Sequence, residues 1–235
     1  TALFFVLLSG KSFTLHVYFP LFWEERFIPL PPTTQDARNM KELESIKLPI
    51  LAELERYAAL FDEVLTHEEE FMSQVLSYVR SRKGKMMRPV LVLLLAKELG
   101  TIGESTLRSA VTLELLHTSS LIHDDVVDES EERRGRASVH QIYDNKIAVL
   151  LGDYMLAQTL EQSALTGSVR VVEAVARLGA TLAEGEILQL TAVHKETISE
   201  SAYYSIITRK TASLFEACGA LAALSMQASE EVLQQ

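Results

Sequence analysis

Apolar residues recur at spacings of three and four through most of the chain from residue 40 onward, which is the period of a helix. This pattern predicts helices over segments 43–60, 63–80, 89–99, 105–128, 143–165, 169–190 and 199–225. The sequence shows no run of alternating Val, Ile and Thr that would indicate a sheet, and no internal repeat. It therefore predicts an all-α fold, a multi-helix bundle arranged around a central helix.

The predicted helix 105–128 is apolar on nearly every side, which marks it as the buried central helix. Its apolar positions include Val111, Leu113, Leu115, Leu116, Leu121 and Ile122. The helix ends in Asp124, Asp125 and Asp128, and Arg133 and Arg134 follow shortly after. An acidic run at a helix end is usually a solvated face, but a buried helix that ends in three carboxylates needs a counter-charge.

Asp124 and Asp128 are four residues apart, so they project from one face of a helix, one turn from each other. Two carboxylates in this arrangement can bind Mg²⁺, which takes oxygen ligands at about 2 Å and keeps waters that phosphate oxygens can replace. The guanidinium groups of Arg133 and Arg134 suit phosphate oxygens. The stretch therefore predicts a magnesium–diphosphate site.

The composition is that of an ordinary globular protein, with 235 residues, 48% of them apolar, and a net charge of −10. This acidic balance argues against general binding to nucleic acid or to an anionic membrane surface. The single cysteine, Cys218, excludes an internal disulfide and a cysteine-rich zinc site. It fits a reducing compartment, so we expect a cytoplasmic protein in which Cys218 is a buried, inert thiol.

Residues 1–39 differ from the rest of the chain, because they hold four of the six prolines and many of its aromatic residues. The apolar run 2–8 is too short to span a bilayer. We expect this segment to be an extraneous or disordered leader, with the natural protein starting at Met40 and the domain running over 40–235. At the other end, residues 229–233 begin a helix where the chain stops, which predicts a truncated domain without its C-terminal helices.

A second informative stretch is Gly84-Lys85-Met86-Met87-Arg88-Pro89, a basic loop that leads into a helix. Lys85 and Arg88 flank the helix N-terminus, where backbone N–H groups and the helix dipole favour an anion. Taken alone, a solvated loop with Pro89 as helix starter is the more common explanation. Together with the aspartates and arginines that follow, the loop indicates a second diphosphate-binding element.

These stretches together resemble the trans-isoprenyl diphosphate synthases, and in particular the long-chain, octaprenyl-type members. The family motif D-D-x-x-D is matched by Asp124, Asp125 and Asp128, and its R-R-G by residues 133–135. Its G-K-x-x-R-P is matched by residues 84–89, although Lys83 stands where a second glycine is usual. Further family positions are occupied by His117, Gly185, Glu186, Gln189, Lys210 and Thr211.

The resemblance implies a head-to-tail prenyltransferase that acts as a homodimer without an integral membrane segment. Isopentenyl diphosphate would attack the carbocation that forms when an allylic prenyl diphosphate loses its diphosphate. Mg²⁺ would be bound by Asp124 and Asp128, with Asp125 either a third ligand or a residue that orients the ligands.

The resemblance also distributes the substrate contacts. The isopentenyl diphosphate ligands would be Lys85, Arg88, His117 and Arg134. The allylic diphosphate would be held by Arg133, Lys210 and Thr211, with Gln189 also in the site and Lys210 counted as catalytic beside Asp124 and Asp128. For His117 and Gln189 a buried structural role is the alternative.

Product length is expected to depend on Ser119 and Ser120, which precede Asp124 by five and four residues. In the resembling family the growing chain runs beside this helix face, where a bulky aromatic residue stops elongation. Two serines leave space, so we expect a product longer than fifteen carbons.

Two alternatives to a complete synthase remain open at this point. The family has a second aspartate-rich motif on a later helix, and none occurs here after Asp128. The chain is therefore expected to be either an incomplete synthase or a non-catalytic partner subunit of one. A terpenoid cyclase is disfavoured, because a cyclase has no isopentenyl diphosphate for the G-K-x-x-R-P loop to bind.

Overall fold

The computed structural model describes residues 44–81, 84, 86–133, 135–194 and 199–233. The predicted leader 1–39 and two predicted site residues, Lys85 and Arg134, lie outside these ranges. The helices of the described ranges are α1 Leu51–Val64, α2 Glu70–Arg80, α3 Met87–Leu99, α4 Glu104–Val127, α5 Val139–Tyr143, α6 Asn145–Leu165, α7 Val169–His194, α8 Glu200–Ile207, α9 Ser213–Ser225 and α10 Glu230–Leu233. The predicted all-α fold is confirmed. Within those ranges no helix combines the length and apolar character needed to cross a membrane.

The helices α2 and α6 begin later than the apolar period predicts, because a carboxylate caps each of them. The Glu69 carboxylate accepts the backbone N–H groups of Phe71 and Met72 at 3.1 and 2.7 Å, so α2 begins directly after it and not at residue 63. The Asp144 carboxylate likewise accepts the N–H of Ile147 at 3.0 Å and fixes the start of α6. In both cases the capping side chain satisfies N–H groups that the helix itself leaves without a partner.

Two local features depart from the predicted pattern of continuous helices and plain turns. The predicted turn 129–137 contains a short antiparallel ladder of strands β1 (Glu132–Arg133) and β2 (Arg136–Ala137), turned at Gly135 with a φ of 72°. The predicted single helix 199–225 contains a π-helical turn, Thr208–Ala212, between α8 and α9. Both features fall on segments that the resemblance assigns to the active site.

The described residues fall into two compact units, which we call the large unit (49–180 and 213–233) and the small unit (44–48 and 181–212). Helix α4 is the centre of the large unit and packs against α1, α3, α6 and α9. Along its middle, six apolar side chains that point to different sides are at most 4% exposed: Leu107, Ala110, Val111, Leu113, Leu115 and Leu116. Burial of each larger side chain stabilises the fold by roughly 1.5–3 kcal/mol, so the predicted central helix is confirmed.

The contact between α4 and α6 is unusually close near the C-terminal end of α4. A Cβ atom at Gly152 would lie 2.2 Å from Nε2 of His123, so the imidazole occupies the space that any other residue would fill. The Ser119 hydroxyl donates to the Gly152 carbonyl at 2.9 Å, and His123 Nε2 lies 3.2 Å from the Val149 carbonyl oxygen. The last two turns of α4 are therefore fixed to α6 directly before the aspartates.

Candidate active site

The helix continues without a break from Asp124 to Asp128, as the sequence requires for a shared face. The Asp128 N–H donates to the Asp124 carbonyl at 2.8 Å, and Glu129, with a φ of 50°, then turns the chain away. Asp124 is half-buried and Asp128 is exposed. Their carboxylates therefore project one turn apart at the C-terminal end of α4, where the helix dipole already favours a cation.

This pair of carboxylates fits Mg²⁺ by the chemistry of its donors. Across the described part of the chain, no three His, Cys, Asp or Glu side chains are grouped closely enough to hold a metal by themselves. Mg²⁺ is commonly bound through one or two carboxylates, with water and substrate phosphate oxygens completing its octahedron. Asp124 and Asp128 provide that minimal set, which suits a metal shared with a diphosphate.

Asp125 lies on a different side of the helix from this pair. Its carboxylate is buried, with a residue exposure of 2%, and it accepts a hydrogen bond from Arg133 Nε at 2.6 Å. Arg133 belongs to β1, so the short hairpin brings the guanidinium back onto the helix end. The sequence leaves two roles open for Asp125, a third metal ligand or a residue that orients a ligand. This geometry favours the second role.

A cavity of about 780 Å³, its open mouth included, adjoins this ion pair within the large unit. It brings together three of the predicted site residues, His117, Asp125 and Arg133, with Gly84 and Met86 of the basic loop. The remaining lining residues are Tyr57, Ala58, Phe61, Val79, Glu114, Thr118, Leu121, Ile122 and Val139. The cavity thus combines apolar wall residues with charged and polar side chains, as a site for an apolar diphosphate ester requires.

Glu114 and Tyr57 line this cavity and were not assigned a role from the sequence. Burial raises the pKa of Tyr57 well above its ordinary value, and the nearby carboxylate of Glu114 raises it further. A signal for Glu114 does exist in the sequence, because Glu114, Thr118, Leu121 and Asp125 follow one another at helical spacing along one face of α4. Tyr57 has no such signal, since it lies on another helix.

Arg88 lies on the first turn of α3 and is half-buried. Met86, which precedes the helix, has a φ of 52°, a left-handed conformation that costs a non-glycine residue about 1–2 kcal/mol.

Cys218 is fully buried near Arg88. Burial raises the pKa of its thiol to about 12, although the charge of Arg88 acts in the opposite direction. A thiol that stays protonated at neutral pH agrees with the predicted inert role of Cys218.

The two serines expected to affect product length have different environments. Ser119 is 2% exposed and its hydroxyl is bonded to the Gly152 carbonyl across the contact between α4 and α6. Ser120 is half-buried, and its hydroxyl donates to the His117 carbonyl of its own helix at 2.9 Å. A larger side chain at Ser119 would therefore have to displace α6, whereas one at Ser120 would not.

The small unit holds the remaining predicted residues. Lys210 lies in the π-helical turn, its ammonium group donates to Gln189 Oε1 at 3.1 Å, and it forms an ion pair with the Glu186 carboxylate. Thr211 is exposed. Glu186 occupies a family position in the sequence, but no role was assigned to it. Its spacing of three residues from Gln189 on one helix is the sequence signal that places the two side chains together.

The buried ion pair gives a prediction for stability that needs no substrate. We expect Asp125→Asn to lower the free energy of unfolding by about 2 kcal/mol, because Arg133 loses a charge-assisted hydrogen bond to a buried carboxylate. Asp128→Asn is the matched control, and its exposed position should limit the change to about 0.5 kcal/mol. Urea unfolding without added Mg²⁺ measures both, and equal losses would contradict a structural role for the pair.

Known proteins are similar to this chain in sequence and in fold. Residues 69–235 match the family model described as polyprenyl synthetase. The octaprenyl diphosphate synthase of Escherichia coli (strain K12) is 37% identical over 155 residues, which cover 66% of this chain and 48% of that enzyme. The octaprenyl diphosphate synthase of Haemophilus influenzae is 34% identical over 203 residues, or 85% of this chain and 61% of that enzyme.

Solved structures agree with these relatives. The decaprenyl diphosphate synthase from Rhodobacter capsulatus superposes with a TM-score of 0.77 at 35% identity, over 82% of this chain and 59% of that one. A polyprenyl synthase from Caulobacter crescentus CB15, solved with calcium and isoprenyl diphosphate, gives a TM-score of 0.78 at 29% identity, over 82% and 58%. The chain thus spans about half to three fifths of the relatives described here. It belongs to the polyprenyl synthetase family.

Proposed function

We propose that this chain carries the Mg²⁺-dependent part of a prenyltransferase that makes a long-chain all-trans polyprenyl diphosphate. The reaction joins isopentenyl diphosphate head-to-tail to an allylic prenyl diphosphate. The observation that carries the proposal is the pairing of Asp124 and Asp128 on one helix face beside a cavity that holds Asp125, Arg133 and His117. Relatives named as octaprenyl and decaprenyl diphosphate synthases support a product of that size class.

Asp124 and Asp128 are the residues that would hold Mg²⁺. When bound, the metal supplies positive charge that stabilises a departing diphosphate. The Caulobacter crescentus relative, solved with calcium and isoprenyl diphosphate, supports a divalent cation in this family. The exposed position of Asp128 and the half-buried position of Asp124 keep water and diphosphate oxygens within reach of the same ion.

Arg133 would grip the allylic diphosphate, and Asp125 would hold the guanidinium in place for it. The ion pair through Nε of Arg133 fixes the orientation of the guanidinium at the mouth of the site. Fixing a cation before the substrate arrives reduces the reorganisation that charge separation would otherwise require. Lys210 and Thr211 remain proposed ligands of the allylic diphosphate on the small unit.

The apolar walls of the cavity would protect the carbocation after the allylic C–O bond breaks. Phe61, Val79, Leu121, Ile122 and Val139 line it and offer no nucleophile. Isopentenyl diphosphate would be held by His117 and Arg88, together with Lys85 and Arg134, so that its double bond attacks the cation and a proton is then lost. Water exclusion is needed here because hydrolysis would compete with that attack.

The activity itself is the first thing to measure. We expect the native protein that contains this chain to incorporate labelled isopentenyl diphosphate into polyprenyl products with farnesyl diphosphate and Mg²⁺. Asp124→Asn should reduce the rate at least about 100-fold, because it removes a charged metal ligand. Glu131→Gln, an exposed carboxylate three residues after Asp128, serves as the control and should retain the activity. If the native protein binds Mg²⁺ and diphosphate but incorporates no labelled isopentenyl diphosphate, the proposal is wrong and the partner-subunit alternative takes its place.

Product length gives a second test. We expect Ser120→Phe to shift the products toward shorter chains, since the half-buried Ser120 can accept a larger side chain beside the elongation face. Ser119→Phe should instead lower the free energy of unfolding by about 1–3 kcal/mol, because it overfills the contact between α4 and α6. Chromatography of the dephosphorylated products and thermal unfolding distinguish the two. An unchanged product distribution in Ser120→Phe would place the end of the elongation path elsewhere.

We also propose that the protein is a homodimer that buries one face of α6. Val149, Leu156 and Leu160 lie at helical spacing on that face and are 41%, 39% and 50% exposed. Contiguous apolar surface of this kind is typical of subunit interfaces. Light scattering should give twice the chain mass for the native protein and about the single mass for Leu156→Glu combined with Leu160→Glu. A monomer mass for the unmodified protein would reject the proposal.

A further inference from the structure

Lys210 is held by two side chains of one neighbouring helix within the small unit. Its ammonium group donates to Gln189 Oε1 at 3.1 Å and forms an ion pair with the Glu186 carboxylate. Both partners lie on α7, one turn apart. The side chains of Lys210 and Glu186 are only 22% and 13% exposed, so water weakens this ion pair less than it would weaken a surface pair.

The backbone around Lys210 is arranged to bring it close to α7. The residues Thr208–Ala212 form a π-helical turn, an uncommon conformation that is frequently found at functional sites. Opposite this turn, a Cβ atom at Gly185 would lie 2.9 Å from Cβ of Arg209 and 2.9 Å from Cγ of Lys210. Because Gly185 has no side chain, the π-helical turn can lie this close to α7. Glu186, the residue after Gly185, contacts the Lys210 ammonium group.

A neighbouring ion pair between the same two segments is more exposed and serves as a comparison. Arg209 Nε lies 3.6 Å from the Glu184 carboxylate, and these side chains are 35% and 65% exposed. Two consecutive cations of the π-helical turn thus face two carboxylates of α7, and the pair of Lys210 and Glu186 is the less exposed of the two. An exposed pair of this type contributes little, whereas a buried one fixes the direction of the cation.

We propose that Glu186, assisted by Gln189, is a positioning residue that fixes the Lys210 ammonium for contact with a diphosphate oxygen. The proposal rests on the proposed function, in which Lys210 contacts the allylic diphosphate. An ammonium group has three N–H donors, and in the described part of the chain Glu186 and Gln189 take two of them. These two contacts orient the third N–H donor. They restrict the flexible four-carbon side chain of Lys210 and so pre-organise the cation.

The test compares Glu186→Gln with Glu184→Gln in the native protein. Acylation of Lys210 by an amine-reactive ester, followed by peptide mass spectrometry, reports how firmly the ammonium is held without any need for activity. We expect Lys210 in Glu186→Gln to react several-fold faster than in the unmodified protein, and Glu184→Gln to differ from it by less than about twofold. In steady-state kinetics Glu186→Gln should lower kcat about 10-fold, with little change in KM for the allylic substrate, because only the transition state needs the fixed cation.

Several results would overturn the proposal. One is equal acylation of Lys210 in the two variants. Another is an unchanged kcat with a lower KM in Glu186→Gln, since Glu186 would then compete with the diphosphate for Lys210. If the unmodified protein shows no synthase activity, the proposed function fails, and the acylation rates alone decide whether Glu186 holds Lys210. If Glu186→Gln does not fold by circular dichroism, Gln189→Ala replaces it, with faster acylation expected and an unchanged rate counting against the proposal.

Discussion

The burial of the middle of α4 among its neighbouring helices is the constraint on which the rest of the structure depends. A helix surrounded by α1, α3, α6 and α9 cannot place a charged side chain among them without a partner. At its C-terminal end Asp128 reaches solvent, and the buried Asp125 is neutralised by Arg133. The hairpin of β1 and β2 turns the chain back toward α4, and Arg133 of β1 thereby reaches Asp125.

The same constraint makes the aspartate-bearing turn rigid. The contact between α4 and α6 at Gly152 is filled by the His123 imidazole, and the Ser119 hydroxyl is bonded across it. Because packed helices have few alternative arrangements, the positions of Asp124 and Asp128 follow from this contact. Fixed carboxylates favour binding of a metal ion with strict octahedral geometry, since less ordering remains to be done when the ion binds.

The helical period of the sequence was enough to predict the fold and the face shared by Asp124 and Asp128, because both depend on local spacing. It was not enough for contacts between segments that are distant in the chain. The pairing of Lys210 with Glu186 joins two helices, and the π-helical turn that permits it departs from the period on which the prediction rests. The later start of α2 has a local cause instead, since the cap at Glu69 outweighs the apolar pattern before it.

The acidic residues of the motifs therefore divide by burial into two groups with different chemistry. Asp124 and Asp128 are accessible to water at a helix end, where a hydrated cation can reach them. Asp125 and Glu186 are largely buried, and each is paired with a cation of the protein itself. A buried carboxylate already paired in this way gains little from a metal, because binding the metal would leave the protein cation without its partner. Spacing places Asp124 and Asp128 on one helix face and leaves the role of Asp125 open, whereas its burial shows that Asp125 is paired with the arginine.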